Sequence, residues 1–158
     1  MKLKAIILTV GLALYSGVFA QEKISSQTLI GFADILTDHK DLNAETMLPV
    51  PEWPEEMKVA GDLRHWEQVV FQGNELVGVV WLSMPGTLKL EDYPFDQMVL
   101  VLEGSVTLEP MEGDVRTFKK GDVFFMPKGF DGIWDMKEQY KELILVEKQA
   151  WAAMTSAE

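Results

Sequence analysis

The chain has 158 residues, no cysteine, and 25 acidic against 14 basic residues, for a net charge of −11. Such acidity repels nucleic acid and anionic lipid and offers no basic stripe to steer either one in, so nucleic-acid binding is excluded. The absent thiols remove disulfides, thiolate-held metals and thiol chemistry; a 47% apolar content with five Trp, eight Phe and three Tyr suits one domain with a packed core.

Lys2 and Lys4 precede an uncharged, mainly apolar run from Ala5 to Phe19, and the small residues Val18 and Ala20 stand three and one positions before a cut ahead of Gln21. This is the pattern of a cleaved secretory signal peptide over residues 1–20. The run is shorter than the ~20 apolar residues that span hydrocarbon. The mature protein is therefore expected in the periplasm or outside the cell, with no membrane span after cleavage.

Residues 21–65 read as an arm that packs on the domain behind it. Leu29 to Leu36 is a mixed apolar stretch, either short helix or strand, followed by the polar turn Asp38-His39-Lys40-Asp41-Leu42-Asn43. Pro49, Pro51 and Pro54 then remove backbone donors and interrupt regular pairing. Trp53 among them is expected to anchor the arm or, less simply, to stack on a ligand.

From Trp66 onward the apolar period is two. Glu67 to Gln72 is a strand, Gly73-Asn74 a hairpin-type turn, and Leu76 to Met84 an almost wholly apolar strand, as expected where both faces are covered. Pro85-Gly86 turns the chain. Further strands are predicted over Thr87–Asp92, Phe95–Leu102, Ser105–Glu109, Val115–Lys119, Val123–Pro127, Gly132–Lys137 and Lys141–Glu147. That count, with turn signals between, predicts an all-β jelly roll or other small barrel over residues 66–148. The small, polar segment 149–158 is expected to fray as a flexible tail.

The punctuation of this region carries a resemblance. Val101-Leu102-Glu103-Gly104, the turn at Gly113, Phe118-Lys119-Lys120-Gly121-Asp122-Val123 and Pro127-Lys128-Gly129, followed by Gly132-Ile133-Trp134, resemble the cupin superfamily. With Gly78-Val79-Val80-Trp81 and Pro85-Gly86 they are similar to the branch that contains the (S)-ureidoglycine aminohydrolases. The similarity runs from Leu76 to Glu147 and implies a single cupin barrel with an N-terminal arm. It also implies a homodimer, for which the arm and the strand Glu67–Gln72 would supply a sheet edge.

Cupins hold a metal through two His and a Glu in a first motif and a His in a second. Alignment on Gly104 puts Gln97 at the Glu position and Glu91 and Tyr93 at the His positions, or Leu90 and Asp92 with one more residue between. Alignment on Pro127 and Gly129 puts Gly132 where the second motif has its His. The aminohydrolases hold manganese through Glu-x-His-x₃-His and a later Gln; Glu91 matches that Glu, while Tyr93 and Gln97 replace both imidazoles. With the ligand positions filled this way, no Mn, Fe or Zn cofactor is expected. His39 and His65 precede the barrel and are assigned surface or packing roles.

Strand alternation from Lys89 puts Lys89, Glu91 and Tyr93 on one face. Gln97 is a polar residue in an apolar strand and needs a hydrogen-bonding partner, supplied by Tyr93 or a ligand. Gly132 marks an inward face that Trp134 shares. A pocket follows, with aromatic walls Trp81, Phe125 and Trp134 and polar groups Lys89, Glu91, Tyr93 and Gln97, although aromatics in so small a barrel also serve as core filler. Two functions fit: binding of one small polar ligand of sugar or ureide class, or metal-free hydrolysis or isomerisation with Glu91 and Tyr93 as acid and base.

Overall fold

The computed structural model describes residues 39–155. The signal peptide expected over 1–20, the first part of the arm to residue 38 and the last three residues lie outside this range. Eleven strands are present among the described residues: β1 Leu48–Pro49, β2 Lys58–Gly61, β3 His65–Gln72, β4 Leu76–Ser83, β5 Gly86–Leu90, β6 Gln97–Glu103, β7 Ser105–Pro110, β8 Arg116–Lys119, β9 Val123–Met126, β10 Gly132–Met136 and β11 Tyr140–Glu147. A helix, α1, closes the chain over Lys148–Thr155.

The strands form two antiparallel sheets, one ordered β1-β3-β4-β11-β6-β9 and the other β2-β5-β10-β7-β8. This is the expected all-β jelly roll. The alternation that predicted it is visible in β6, where Gln97, Val99 and Val101 are buried inward while Met98 and Leu100 are only partly covered. Between the sheets lie Val77, Val79, Val99, Val101, Val106, Leu88, Met126, Met136 and Tyr140, all nearly solvent-free. Each such apolar side chain contributes roughly 1.5–3 kcal/mol of transfer free energy.

β4 is buried on both faces, as its unbroken apolar run requires. Its inner residues Val77, Val79 and Trp81 face the core, while Val80 and Leu82 pack on the other side with Met47, Leu42 and Ala44 of the arm. The arm is held there by Lys141, whose ammonium donates to Glu103 at 2.9 Å and to the His39 carbonyl at 3.3 Å.

Two parts of the chain differ from the sequence expectation. The proline-rich arm is knitted into both sheets: β1 pairs with β3 and β2 with β5. Pro49 is tolerated because β1 is an edge strand, where a missing donor costs no ladder bond. The expected fraying tail is instead α1 up to Thr155. The Glu147 carboxylate accepts from the Ala150 amide at 3.1 Å, an N-cap bond, and the alanines at 150, 152 and 153 favour helix. Trp151 packs from α1 against the central core.

The turn grammar has structural reasons. Gly104 has φ +71°, and a Cβ there would stand 2.3 Å from the Gln139 carbonyl oxygen, so only glycine fits between β6 and β7. In the Gly-Asp turn, the Asp122 carboxylate accepts from the Lys119 amide at 2.9 Å and the Gly121 amide donates to Val101 O at 2.8 Å. The Pro-x-Gly turn has a further use. The Gly129 amide donates to Tyr93 O at 2.7 Å, and the Tyr93 amide donates to Phe130 O at 3.1 Å. The loop carrying Tyr93 is thereby pinned to the end of the barrel.

Candidate functional site

The space between the sheets is not filled at one end. A cavity of about 90 Å³ remains there, with Trp81, Leu88, Gln97, Trp134, Glu142 and Ile144 buried at its floor. Val50, Trp53, Glu67, Tyr93, Pro94 and Trp151 are partly exposed and form its rim. The lining contains no lysine or arginine.

Sheet register builds the floor. Glu67 on β3 stands opposite Trp81 on β4, and Trp81 stands opposite Glu142 on β11. Directly opposed residues in a ladder share a face at roughly 5 Å spacing. The indole of Trp81 thus lies between two carboxyl side chains. Trp134 enters from the opposite sheet, and Tyr140 meets both Trp81 and Trp134 edge-on, at centroid distances of 6.3 and 6.1 Å.

Hydrogen bonds fix these rings. The Trp81 indole N–H donates to His65 Nδ1 at 3.0 Å, so the imidazole proton sits on Nε2, which donates to the Pro51 carbonyl at 2.7 Å. Burial depresses the His65 pKa, only partly opposed by that carbonyl, and the ring is neutral. Trp53 stacks on it at 4.7 Å. Tyr93 donates to Gln97 Oε1 at 3.0 Å, the partner that the position of Gln97 required. Burial, then the Glu142 charge, raises the Tyr93 pKa above that of ordinary phenol.

Glu142 is the most perturbed acid of the site. It is 2% exposed, and its one hydrogen bond is from the Tyr140 hydroxyl to Oε2 at 2.6 Å. Desolvation, only partly offset by that bond, pushes its pKa up to about 8. Desolvation alone raises Glu67 as well.

Of the residues singled out from sequence, Trp81, Tyr93, Gln97 and Trp134 meet at this cavity. Lys89, Glu91 and Phe125 do not, and the expectation that they share the interior is corrected. On β5 the inward residues are Leu88 and Leu90, so Lys89 points out. The strand ends at Leu90, and Asp92 adopts φ +50°, so alternation does not carry from Lys89 through Glu91 to Tyr93. Glu91 is 55% exposed and pairs with Lys89 in solvent. On β9 it is Phe124 that turns inward, stacking on Phe118 at 4.2 Å, while Phe125 is 77% exposed.

Sequence reasoning missed Glu142, Tyr140, Glu67 and Trp151. The signal for the first pair was present: alternation along β11 puts Tyr140, Glu142, Ile144 and Val146 on one side, with three apolar residues declaring it the inner one. His65 does pack, as assigned, but its packing partner is the floor of the cavity.

The metal implied by the resemblance does not fit these residues. Gln97 Oε1 and Glu142 Oε2 are engaged by phenols, both nitrogens of His65 are committed, and no inward imidazole is free. Among the described residues no group of three or more His, Asp or Glu could hold a cation. A neutral amide and two phenols are poor ligands for Mn, Fe or Zn. No helix among the described residues is long and apolar enough to cross a membrane.

A protein of unknown function from Pseudomonas syringae pv. tomato is similar at TM-score 0.57 and 18% identity, over 63% of this chain and 43% of that one. A putative ethanolamine utilization protein Q from Salmonella typhimurium aligns at TM-score 0.49 and 19% identity, over 65% of this chain and 97% of that one. A cupin superfamily protein from Desulfitobacterium hafniense aligns at TM-score 0.45 and 16% identity, over 56% and 82%. No curated protein matches the sequence. Residues 72–142 match the EutQ-like cupin domain family. The jelly-roll sheets, their glycine-marked turns and this match agree: the chain carries a cupin domain.

Proposed function

We propose that the protein is an exported cupin that binds one small molecule in the cavity between its sheets, without a metal. The observation that supports this most directly is Glu142. An acid buried to 2% exposure with one hydrogen bond works against folding at neutral pH, and perturbed groups of this kind cluster at functional sites. Its surroundings are an aromatic chamber that a few larger side chains would have filled.

The chamber narrows the ligand. At about 90 Å³ it is well below the ~300–1,000 Å³ of drug-sized sites, so the occupant has few non-hydrogen atoms. Polar atoms not already committed are few: the Gln97 amide nitrogen, one Glu142 oxygen, the Glu67 carboxyl and the indole N–H groups of Trp53 and Trp134. A sugar, with a hydroxyl on nearly every carbon, would leave most of them unpaired. A compact ureide or another small molecule with one polar end and apolar surface matches the lining better.

A second reading, metal-free proton transfer, is favoured by the same acid, whose pKa lies near a working pH. In it Glu142 takes the role that the sequence suggested for Glu91 and Tyr93.

Thermal-shift screening of the mature protein with small ureides, amines, carboxylic acids and monosaccharides tests the proposal, because a ligand of the folded state raises the midpoint. Binding should also change the fluorescence of the cavity tryptophans. If no class of small molecule shifts either signal, the cavity is only a packing gap. If a hit is turned over, Glu142→Gln should abolish turnover while retaining the fold. N-terminal sequencing of protein recovered from the periplasm should begin at or near Gln21; an intact Met1 in the cytoplasm would refute export.

A further inference from the structure

We infer that the cavity is an onium site: it recognises a small organic cation whose ammonium carries alkyl groups, held against the indoles of Trp81 and Trp134 and between the carboxyl groups of Glu67 and Glu142. This rests on the binding reading above and names its ligand class.

The lining holds two acids and no lysine or arginine, and its single imidazole is locked neutral between Trp81 and Pro51. Both acids therefore lack a cationic partner, which is why burial is the largest influence on each. A ligand cation supplies what the protein withholds. An anionic ligand would meet two carboxyl groups and no positive charge, with only the unpartnered indole N–H groups of Trp53 and Trp134 as donors beside the Gln97 amide.

The walls make the same selection. Trp53, Trp81, Trp134 and Tyr93 line a space of about 90 Å³. Ring faces carry negative electrostatic potential and attract cations most strongly when water is excluded. Alkylated ammonium is unusual among cations in presenting an apolar surface, so it can enter an apolar chamber without needing a hydrogen bond for every face. Inorganic cations and primary guanidinium groups require several oxygen ligands, which this lining does not offer. Register sets the geometry: Glu67, Trp81 and Glu142 lie abreast on neighbouring strands, so a cation over the indole has a carboxyl group on either side.

Linkage to protons follows. The titratable groups facing Glu142 are Tyr140 on its own strand, Tyr93 on the loop before β6, and Glu67 and His65 on β3; β4, β5, β6, β10 and α1 bring none to the lining. Burial raises both tyrosines and lowers the imidazole, so all three are neutral at pH 8. A bound cation favours the ionised form of Glu142, so it enters as a proton leaves. Apparent affinity should then rise close to tenfold per pH unit below about pH 8, where burial has placed the Glu142 pKa, and level off above it.

Calorimetric titration of the mature protein with choline and with its uncharged isostere 3,3-dimethylbutan-1-ol tests this. Choline should bind at least tenfold more tightly than the isostere, with affinity rising from pH 6 to 8 and a proton released in buffers of different ionisation enthalpy. Glu142→Gln, which keeps the shape and can still accept from Tyr140, should lower choline affinity at least tenfold at pH 8 and leave the isostere unchanged. Glu67→Gln, at the rim and so less dependent on core packing, should weaken choline in the same sense. Equal affinity for the two probes, or choline binding indifferent to both substitutions, overturns the inference. So does failure of choline alongside a neutral or anionic hit in the thermal screen, an outcome that leaves the binding reading intact; failure of every class removes both.

Discussion

Glu142 should make this protein less stable as the pH rises through neutrality. An unfolded glutamate titrates at an ordinary value of 4.5, and in the fold the same group titrates at about 8 because it is desolvated. Below 4.5 the acid is protonated in both states and contributes nothing. Between the two values the native state holds a proton that the unfolded state has released, so unfolding becomes easier with each pH unit, by up to about 1.4 kcal/mol. The loss is about 3 kcal/mol by pH 7 and about 5 kcal/mol by pH 9, order-of-magnitude figures from the linkage relation. Above pH 8 the full cost is present and the slope vanishes. Glu142→Gln removes the titration while preserving volume and the acceptor for Tyr140. The expected result from urea unfolding at pH 4.5, 7 and 9 is near-equality of the two proteins at the lowest pH. The variant then becomes progressively more stable, by several kcal/mol at pH 9. Parallel profiles for wild type and variant would refute the reasoning, because they would mean that Glu142 ionises with no more difficulty in the fold than outside it. Glu67 is raised by the same cause and tilts both profiles alike, so the difference between them isolates Glu142.

Other substitutions separate the cavity from its surroundings. Gln97→Leu leaves the Tyr93 hydroxyl without its acceptor and should cost about 1–3 kcal/mol in chemical denaturation, whereas adding Tyr93→Phe should recover part of that loss; strict additivity would show that the pair is not coupled. His65→Phe keeps a ring for Trp53 to stack on but strands the Trp81 N–H, so a loss of about 1–3 kcal/mol is expected, with a shift in tryptophan emission. Lys89→Ala and Glu91→Gln, alone or together, should leave both the melting temperature and ligand affinity unchanged, since the pair lies in solvent. A fall in affinity with either one would restore the interior role that the sequence suggested.

Strand positions were legible because hydrophobic alternation and turn residues report the same physics twice. Leu76 to Met84 announced a strand covered on both sides, and β4 is one. Gly104, Gly121-Asp122 and Pro127-x-Gly129 marked turns that the structure explains by close approach and by specific hydrogen bonds. The site was half legible. Gln97 and Trp134 belong to strands, and both turn inward as expected of them. Glu91 and Lys89 failed because alternation was extended past the end of β5, into a loop where Asp92 adopts a left-handed conformation. Phe125 failed by one position, which in a strand is the whole difference between core and solvent. Glu142 was overlooked because a glutamate in a strand is usually read as its solvent face, and only its three apolar neighbours in phase contradict that. The helical end was misread because its small residues suggested fraying, while the capping Glu147 and the anchoring Trp151 decide otherwise.

The cavity also divides along the boundary of the family match. Residues 72–142 supply Val79, Trp81, Leu88, Leu90, Gln97, Trp134 and Glu142, which is most of the floor, and within the same segment Tyr93 and Pro94 reach the rim. Val50, Trp53, His65 and Glu67 come from before that segment, and Ile144 and Trp151 from after it. The shared barrel therefore sets depth and geometry, whereas much of the mouth, one of the two acids and the imidazole that orients Trp81 come from outside the matched segment. The positions that the resemblance aligns with metal ligands and that face inward carry an amide, a phenol and a glycine. The flanks add to them: a neutral histidine locks one tryptophan in place, and a second tryptophan stacks on that histidine. The proposed recognition would for that reason be a property of more than the matched segment, and a variant lacking residues 39–65, which removes β1, β2, Trp53 and His65, should lose any ligand signal in the thermal screen.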